Sequence, residues 1–166
     1  PQWFAYGSAP MYLMKLGEYI FSYFHGSPLD DLRILGRFLS SLADLGTIIF
    51  SFLLARKLIQ SKWAILVPFL IAITVIHIQL SSFLTVDTFA TFFTVTTIYF
   101  LHRVATSCIW SDSILAGIFL GIGLATKISL LPLGSVFIVA HLFYLLHPQH
   151  FSGDLLSLSS RTSQVF

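Results

Sequence analysis

The sequence predicts an all-α protein, a polytopic bundle of transmembrane helices with about five spans and one extracytoplasmic interfacial helix. Three observations predict it. Of the 166 residues, 56% are apolar and only 10% charged, against roughly 45–50% and about 25% in soluble domains. Several near-continuous apolar runs approach or exceed the ~20 residues that a helix needs to cross ~30 Å of hydrocarbon. The basic residues sit mainly at the ends of those runs, where the cytoplasmic boundaries of a multi-pass protein carry them. The same scatter of nine Lys and Arg leaves no basic block of the kind that binds nucleic acid, which is excluded as a partner. The single cysteine, Cys108, can form no intramolecular disulfide and reads as a small apolar residue.

Residues 1–31 mix aromatic and turn-forming types, Tyr6-Gly7-Ser8-Ala9-Pro10 and then His25-Gly26-Ser27-Pro28, around an apolar stretch at 11–24 that is too short to span. They read as an extracytoplasmic loop with a short interfacial helix. The membrane region is 32–146. Span A, 32–59, has 28 residues, roughly 42 Å of helix, enough to cross with tilt. Span B, 63–84, is apolar except for His77 and Gln79 and carries Pro68 in its first third. Span C, 86–101, is rich in Thr and Phe, opens with Asp87 and is followed by His102-Arg103. Spans D, 114–126, and E, 130–146, are short runs meeting at a polar elbow around Lys127. Residues 147–166 are polar and Ser-rich, and read as a cytoplasmic loop or tail.

Arg56, Lys57 and Lys62 at the A–B junction and Arg103 between C and D make those regions cytoplasmic by the positive-inside rule. The N-terminal loop, the turn at 81–87 and Lys127 then face the other side.

Ionisable groups at membrane depth cost a few kcal/mol each, so every one needs a partner, a cavity or a task. In span A, Arg37, Ser40, Ser41, Asp44, Thr47 and Ser51 recur mostly three and four apart, a polar stripe that must face protein or water. Arg37 and Asp44 can pair with each other or with neighbouring helices, or Arg37 can attract an anion near the outer end. Asp87 can cap the helix it opens, with Thr91 and Thr94 continuing its face, or can serve a substrate. His77, four residues before Ser81, reads as a hydrogen-bonded interior histidine or as an assisting group. The Lys127 ammonium can snorkel to the outer interface or hold a phosphate as a compact point charge. Gly117, Gly121 and Gly123 give span D a small-residue face for close helix packing.

The order of these features resembles a known family. It runs from the aromatic Tyr6-Gly7-Ser8-Ala9-Pro10 loop through Gly36-Arg37-Phe38-Leu39-Ser40 and Ser82-Phe83-Leu84-Thr85-Val86-Asp87-Thr88-Phe89 to Gly117, Gly121, Gly123 and Ala125-Thr126-Lys127. Together these resemble integral-membrane glycosyltransferases of the C-type fold, closest to the dolichyl-phosphate-mannose protein mannosyltransferase-like and aminoarabinose transferase group. The resemblance covers roughly residues 4–145. It implies a multi-pass protein of the bacterial plasma membrane that passes a sugar from a polyprenyl-phosphate donor to a lipid, protein or glycan acceptor outside the membrane. It further implies that Lys127 lies near the carrier phosphate and that Asp87 assists metal, donor or acceptor binding. By charge and outer placement Lys127 first and Arg37 second are the expected donor-phosphate contacts, and Asp87, with His77, is expected to assist substrate or a divalent cation such as magnesium or manganese. The family's catalytic acidic motif stands at the outer end of its first transmembrane helix, which is expected upstream of Pro1; reading the gene there should reveal it. Membrane lipid and a larger membrane assembly are the other implied partners.

Two other readings compete. A non-catalytic helical subunit of a membrane complex would use the stripe and the small-residue face only for packing. A transporter fragment would bind substrate at discontinuous helices near the midplane, but the sequence shows no inverted repeat and its polar groups gather toward one side.

Overall fold

The computed structural model describes residues 9–22, 28–81, 83, 85–107 and 110–146. The aromatic segment before Ala9, residues 23–27, Ser82, Leu84, Cys108, Ile109 and residues 147–166 lie outside the described residues. What is described is helical: α1 (Ala9–Ser22), α2 (Pro28–Ile59), a 3-10 turn (Lys62–Ile65), α3 (Leu66–Ile73), α4 (Val75–Ser81), α5 (Val86–Ser107), α6 (Trp110–Thr126), a second 3-10 turn (Ile128–Leu130) and α7 (Leu133–Leu146).

Side-chain contacts fix the direction of each segment. The Ser40 hydroxyl donates to the Phe83 carbonyl at 2.9 Å, Gly46 lies against Phe92, and the Phe50 and Tyr99 rings stand 5.5 Å apart, so α2 and α5 run parallel. Helix α6 returns beside α5, with Asp112 at Arg103, Phe119 stacked on Phe100 at 5.7 Å, and Lys127 at Asp87. Helix α7 turns again, bringing His141 to within 3.1 Å of the Ser113 hydroxyl. Between α2 and α5 the chain comes back through the 3-10 turn, α3 and α4, whose His77 meets Asp44 and whose Leu80 carbonyl lies near Ser40. The five segments from α2 to α7 therefore alternate between two ends of one bundle.

The segment read as span B is divided rather than continuous. Pro68 falls in the first turn of α3, where its missing N–H sacrifices no intrahelical bond. The break comes six residues later, at Thr74, which is extended at ψ 119. It stands in Ile71-Ala72-Ile73-Thr74-Val75-Ile76, a run of β-branched residues stiff at χ1. The Thr74 hydroxyl donates to the Leu70 carbonyl at 2.7 Å, while the Thr74 carbonyl accepts from His77 N at 3.0 Å and starts α4. Helix α5 continues past 101 to Ser107, so His102 and Arg103 are helical, and α6 begins at Trp110 rather than near 114.

The core is aromatic. Tyr99, Phe100 and Leu101 of α5, Ala116 of α6 and Ala140 of α7 are buried together, flanked by Phe50, Phe119 and Phe137. Helix α5 is central, touching α2, α6 and α7, and it buries Thr88, Thr96 and Thr97 as well as its aromatic residues. Outward faces are apolar: Ile138, Val139, Phe143 and Leu146 of α7 are all more than half exposed, a continuous apolar exposure that soluble monomers rarely present. Among the described residues, two helices are long and apolar enough to cross a membrane, Ile34–Ile59 with 26 residues and Ile128–Leu146 with 19. Lys62–Ile73 and Trp110–Thr126 are apolar but shorter. The described residues are thus all-helical, and length and composition make two of their helices span candidates.

One expectation about packing is corrected. An added Cβ at Gly117 or Gly121 would meet nothing within 4 Å, whereas one at Gly123 would lie 3.2 Å from Phe93 Cβ and Leu130 Cδ1. Only Gly123 of the three serves a close contact inside this chain. Tighter glycines lie elsewhere: a Cβ at Gly17 of α1 would clash with the Leu35 side chain, and one at Gly46 of α2 would stand 2.5 Å from the Phe92 ring.

Candidate functional site

The polar stripe of α2 sorts by depth. Ser40, Thr47 and Ser51 are buried against the neighbouring helices, and the Thr47 hydroxyl is satisfied by the Ala43 carbonyl at 3.0 Å. Asp44 is half-buried, and its Oδ1 lies 2.8 Å from His77 Nδ1 on α4. Asp44 therefore pairs across to the broken return segment and not with Arg37. Arg37 is exposed and makes no ion pair among the described residues, but lies one turn before Ser40 at the same end of the bundle.

That end holds the site. Helix α5 starts beside it, and a hydroxyl pair, Thr85 Oγ1 to Thr88 Oγ1 at 2.8 Å, closes its first turn. The Asp87 carboxylate is thereby left to point outward, while its carbonyl accepts from the Thr91 hydroxyl at 2.8 Å. On the facing side α6 ends at Thr126, buried with its hydroxyl donating to the Ile122 carbonyl at 2.9 Å. Lys127 follows in extended conformation, φ −152 and ψ 119, between α6 and the second 3-10 turn. Its amide still donates to the Gly123 carbonyl at 2.9 Å, and its carbonyl accepts from Leu130 N at 3.1 Å. The elbow is thus held from both sides by backbone bonds, and it delivers the Lys127 Nζ to 2.6 Å from Asp87 Oδ1.

The pair is accessible. The Lys127 and Asp87 side chains retain 29% and 52% of their exposure, a setting in which an ion pair contributes about 0–1 kcal/mol. An arriving anion can therefore compete for the ammonium at little cost. Of the residues singled out in the sequence, Lys127 and Asp87 are brought into contact, Arg37 shares their end, and His77 is turned toward α2 by Asp44. Among the described residues no three His, Cys, Asp or Glu side chains gather to hold a metal ion, and the Asp87 carboxylate already faces a cation in Lys127.

At the opposite end the sequence reading passed over two groups. Asp112, in the first turn of α6, is 2% exposed and lies 3.0 Å from Arg103 Nε, whose guanidinium also stands over the Tyr99 ring. His141 stacks on Phe137 at 4.4 Å and reaches Ser113. An acidic residue in a helix's first turn looks like a solvent-facing dipole partner, and nothing local in Trp110-Ser111-Asp112-Ser113 announces the arginine nine residues upstream.

The family described as dolichyl-phosphate-mannose-protein mannosyltransferase matches residues 10–158. The chain belongs to this family. The match runs from α1 through every described helix, so the Asp87–Lys127 end lies wholly inside it. Membership makes the protein part of a group of membrane glycosyltransferases that use a lipid-linked sugar donor. No curated protein and no solved structure matches the chain.

Proposed function

We propose that this mannosyltransferase-family chain forms the donor-phosphate end of an enzyme that moves a sugar from a polyprenyl-phosphate carrier to a lipid, protein or glycan acceptor on the extracytoplasmic face. The observation that carries the reading is the Asp87–Lys127 contact at an elbow held open to its surroundings. The alternating segments support a reading of five crossings, with Arg56, Lys57, Lys62 and Arg103 at the cytoplasmic end and Arg37, Asp87 and Lys127 at the outer end. A bacterial plasma membrane is the setting this reading takes.

Transfer with inversion needs a carboxylate to take the acceptor's proton while the carrier phosphate departs from the anomeric carbon. Charge builds on the leaving phosphate, and stabilising it is the larger demand. Lys127 meets that demand as a compact ammonium. In the resting state Asp87 neutralises it, and when the phosphate takes over the ammonium, Asp87 is released toward a sugar hydroxyl. Arg37, exposed at the same end, adds positive potential along the approach. His77, anchored by Asp44, holds α4 against α2 and so supports the floor of the site.

The test is sugar transfer from a polyprenyl-phosphate donor by the full-length protein carrying Lys127→Ala and, separately, Lys127→Arg. Loss of transfer in the first with partial retention in the second, at unchanged membrane insertion, is expected. Normal transfer by Lys127→Ala removes the residue from the mechanism.

A further inference from the structure

The end of the bundle remote from Asp87 and Lys127 carries its own cationic recess. Helix α2 stops at Ile59, and Gln60 turns the chain in the left-handed region at φ 50, its amide donating to the Arg56 carbonyl at 3.3 Å. Ser61 is extended, and its hydroxyl accepts from Trp63 N at 3.5 Å, so the chain doubles back at once into the 3-10 turn. Ala64, 1% exposed, pins that turn against α2. Arg56, Gln60, Ser61 and Lys62, all exposed, line the resulting open pocket of about 380 Å³. The pocket thus presents two cations, an amide and a hydroxyl, and among the described residues no carboxylate lines it. The Arg56 guanidinium lies over the Phe52 ring, 5.7 Å from its centroid, which restrains it beside the pocket.

The surroundings distinguish this recess from a patch exposed only to water. Trp63, Ile65, Leu66 and Phe69, on the segment that leaves the pocket, are exposed apolar side chains. Trp is the residue type that settles at the level of lipid headgroups. A ligand with a phosphate in the recess would therefore have an apolar shelf for its tails beside it.

We propose that the Arg56–Lys62 pocket binds the phosphate of an anionic phospholipid headgroup, with the acyl chains lying along the Trp63–Phe69 face. Arg56 and Lys57 also complement the carboxyl end of α2, as basic residues do at any helix C-terminus. That effect alone would give no preference among lipids, whereas a cation near the membrane surface favours anionic lipid by about fivefold.

The probe is the fluorescence of Trp63 in the full chain with Trp3 and Trp110 replaced by Phe, reconstituted in nanodiscs containing brominated phosphatidylglycerol or brominated phosphatidylcholine. Quenching is expected at a severalfold lower mole fraction of phosphatidylglycerol than of phosphatidylcholine. Arg56→Gln/Lys62→Gln should erase the difference, Lys62→Arg should keep it, and millimolar inorganic phosphate should leave it in place. Equal quenching by the two lipids overturns the proposal. So does a preference that survives in Arg56→Gln/Lys62→Gln, or one abolished by inorganic phosphate, which would make the ligand a free anion. Unchanged helical circular dichroism in both variants separates loss of the site from loss of the fold.

Discussion

Replacing Gly46 by alanine tests the packing that holds α2 to α5. The new Cβ would stand 2.5 Å from Phe92 Cε2 and 2.8 Å from Cδ2, where carbon atoms prefer about 3.5–4.0 Å. Something must move by about 1 Å to restore that separation. Phe92 cannot swing away freely, because its ring packs against Phe50 at 6.1 Å, Phe93 at 5.2 Å and Phe119 at 6.3 Å. Overpacking of this kind costs about 1–3 kcal/mol. Removing a helical glycine recovers about 0.5–1 kcal/mol, so Gly121→Ala, made where nothing lies within 4 Å, supplies the reference. Subtracting the two cancels the helix term and isolates the contact. By thermal unfolding in detergent, Gly46→Ala should melt below Gly121→Ala by at least about 2 °C, at about 2–4 °C per kcal/mol for a chain of this size. Equal melting, or a higher midpoint for Gly46→Ala, would refute the α2–α5 interface as described.

Asp112→Ala should destabilise the protein by about 1–3 kcal/mol in denaturant unfolding, since it strips a buried carboxylate from Arg103, whose remaining exposure limits the loss. Arg103→Met added to Asp112→Ala should recover part of that loss; no recovery would mean that the two groups are not coupled. Topology predicts opposite labelling of single cysteines placed, in a Cys108→Ser background, at Gln60 and at Phe83. A membrane-impermeant maleimide should reach the second from the extracytoplasmic side and the first only after permeabilisation, and labelling of both from one side would break the five-pass arrangement.

The helical class was legible because composition alone excludes a soluble core, and the family because its features keep their order from Arg37 to Lys127. The polar stripe of α2 was readable as a surface facing protein or water, and Ser40, Thr47 and Ser51 are buried whereas Arg37 and Ser41 are exposed. What escaped depended on contacts distant in sequence. Asp87 and Lys127 are 40 residues apart, and Asp44 and His77 are 33 apart, so neither pairing shows in any local period. The three glycines of α6 looked alike, yet only Gly123 faces a helix neighbour, because small-residue spacing does not say which side of a helix the neighbour occupies. Span B carries its proline in the first turn of α3, where it is harmless, and the break falls at Thr74, which no proline or glycine marks. The apolar run at 86–101 is short for a span, but α5 extends to Ser107, and its central position is what lets it bury Thr88, Thr96 and Thr97.

The central claim is that the Lys127 ammonium serves the donor phosphate rather than only tying α5 to the elbow. Exchanging the charges, Asp87→Lys with Lys127→Asp, keeps an ion pair across the same 2.6 Å contact but moves the cation off the elbow. Measured as sugar transfer from a polyprenyl-phosphate donor, the exchanged protein should insert and fold like the parent yet stay as inactive as Lys127→Ala. Recovery of transfer in the exchanged protein would show that the pair is structural and contradict the account.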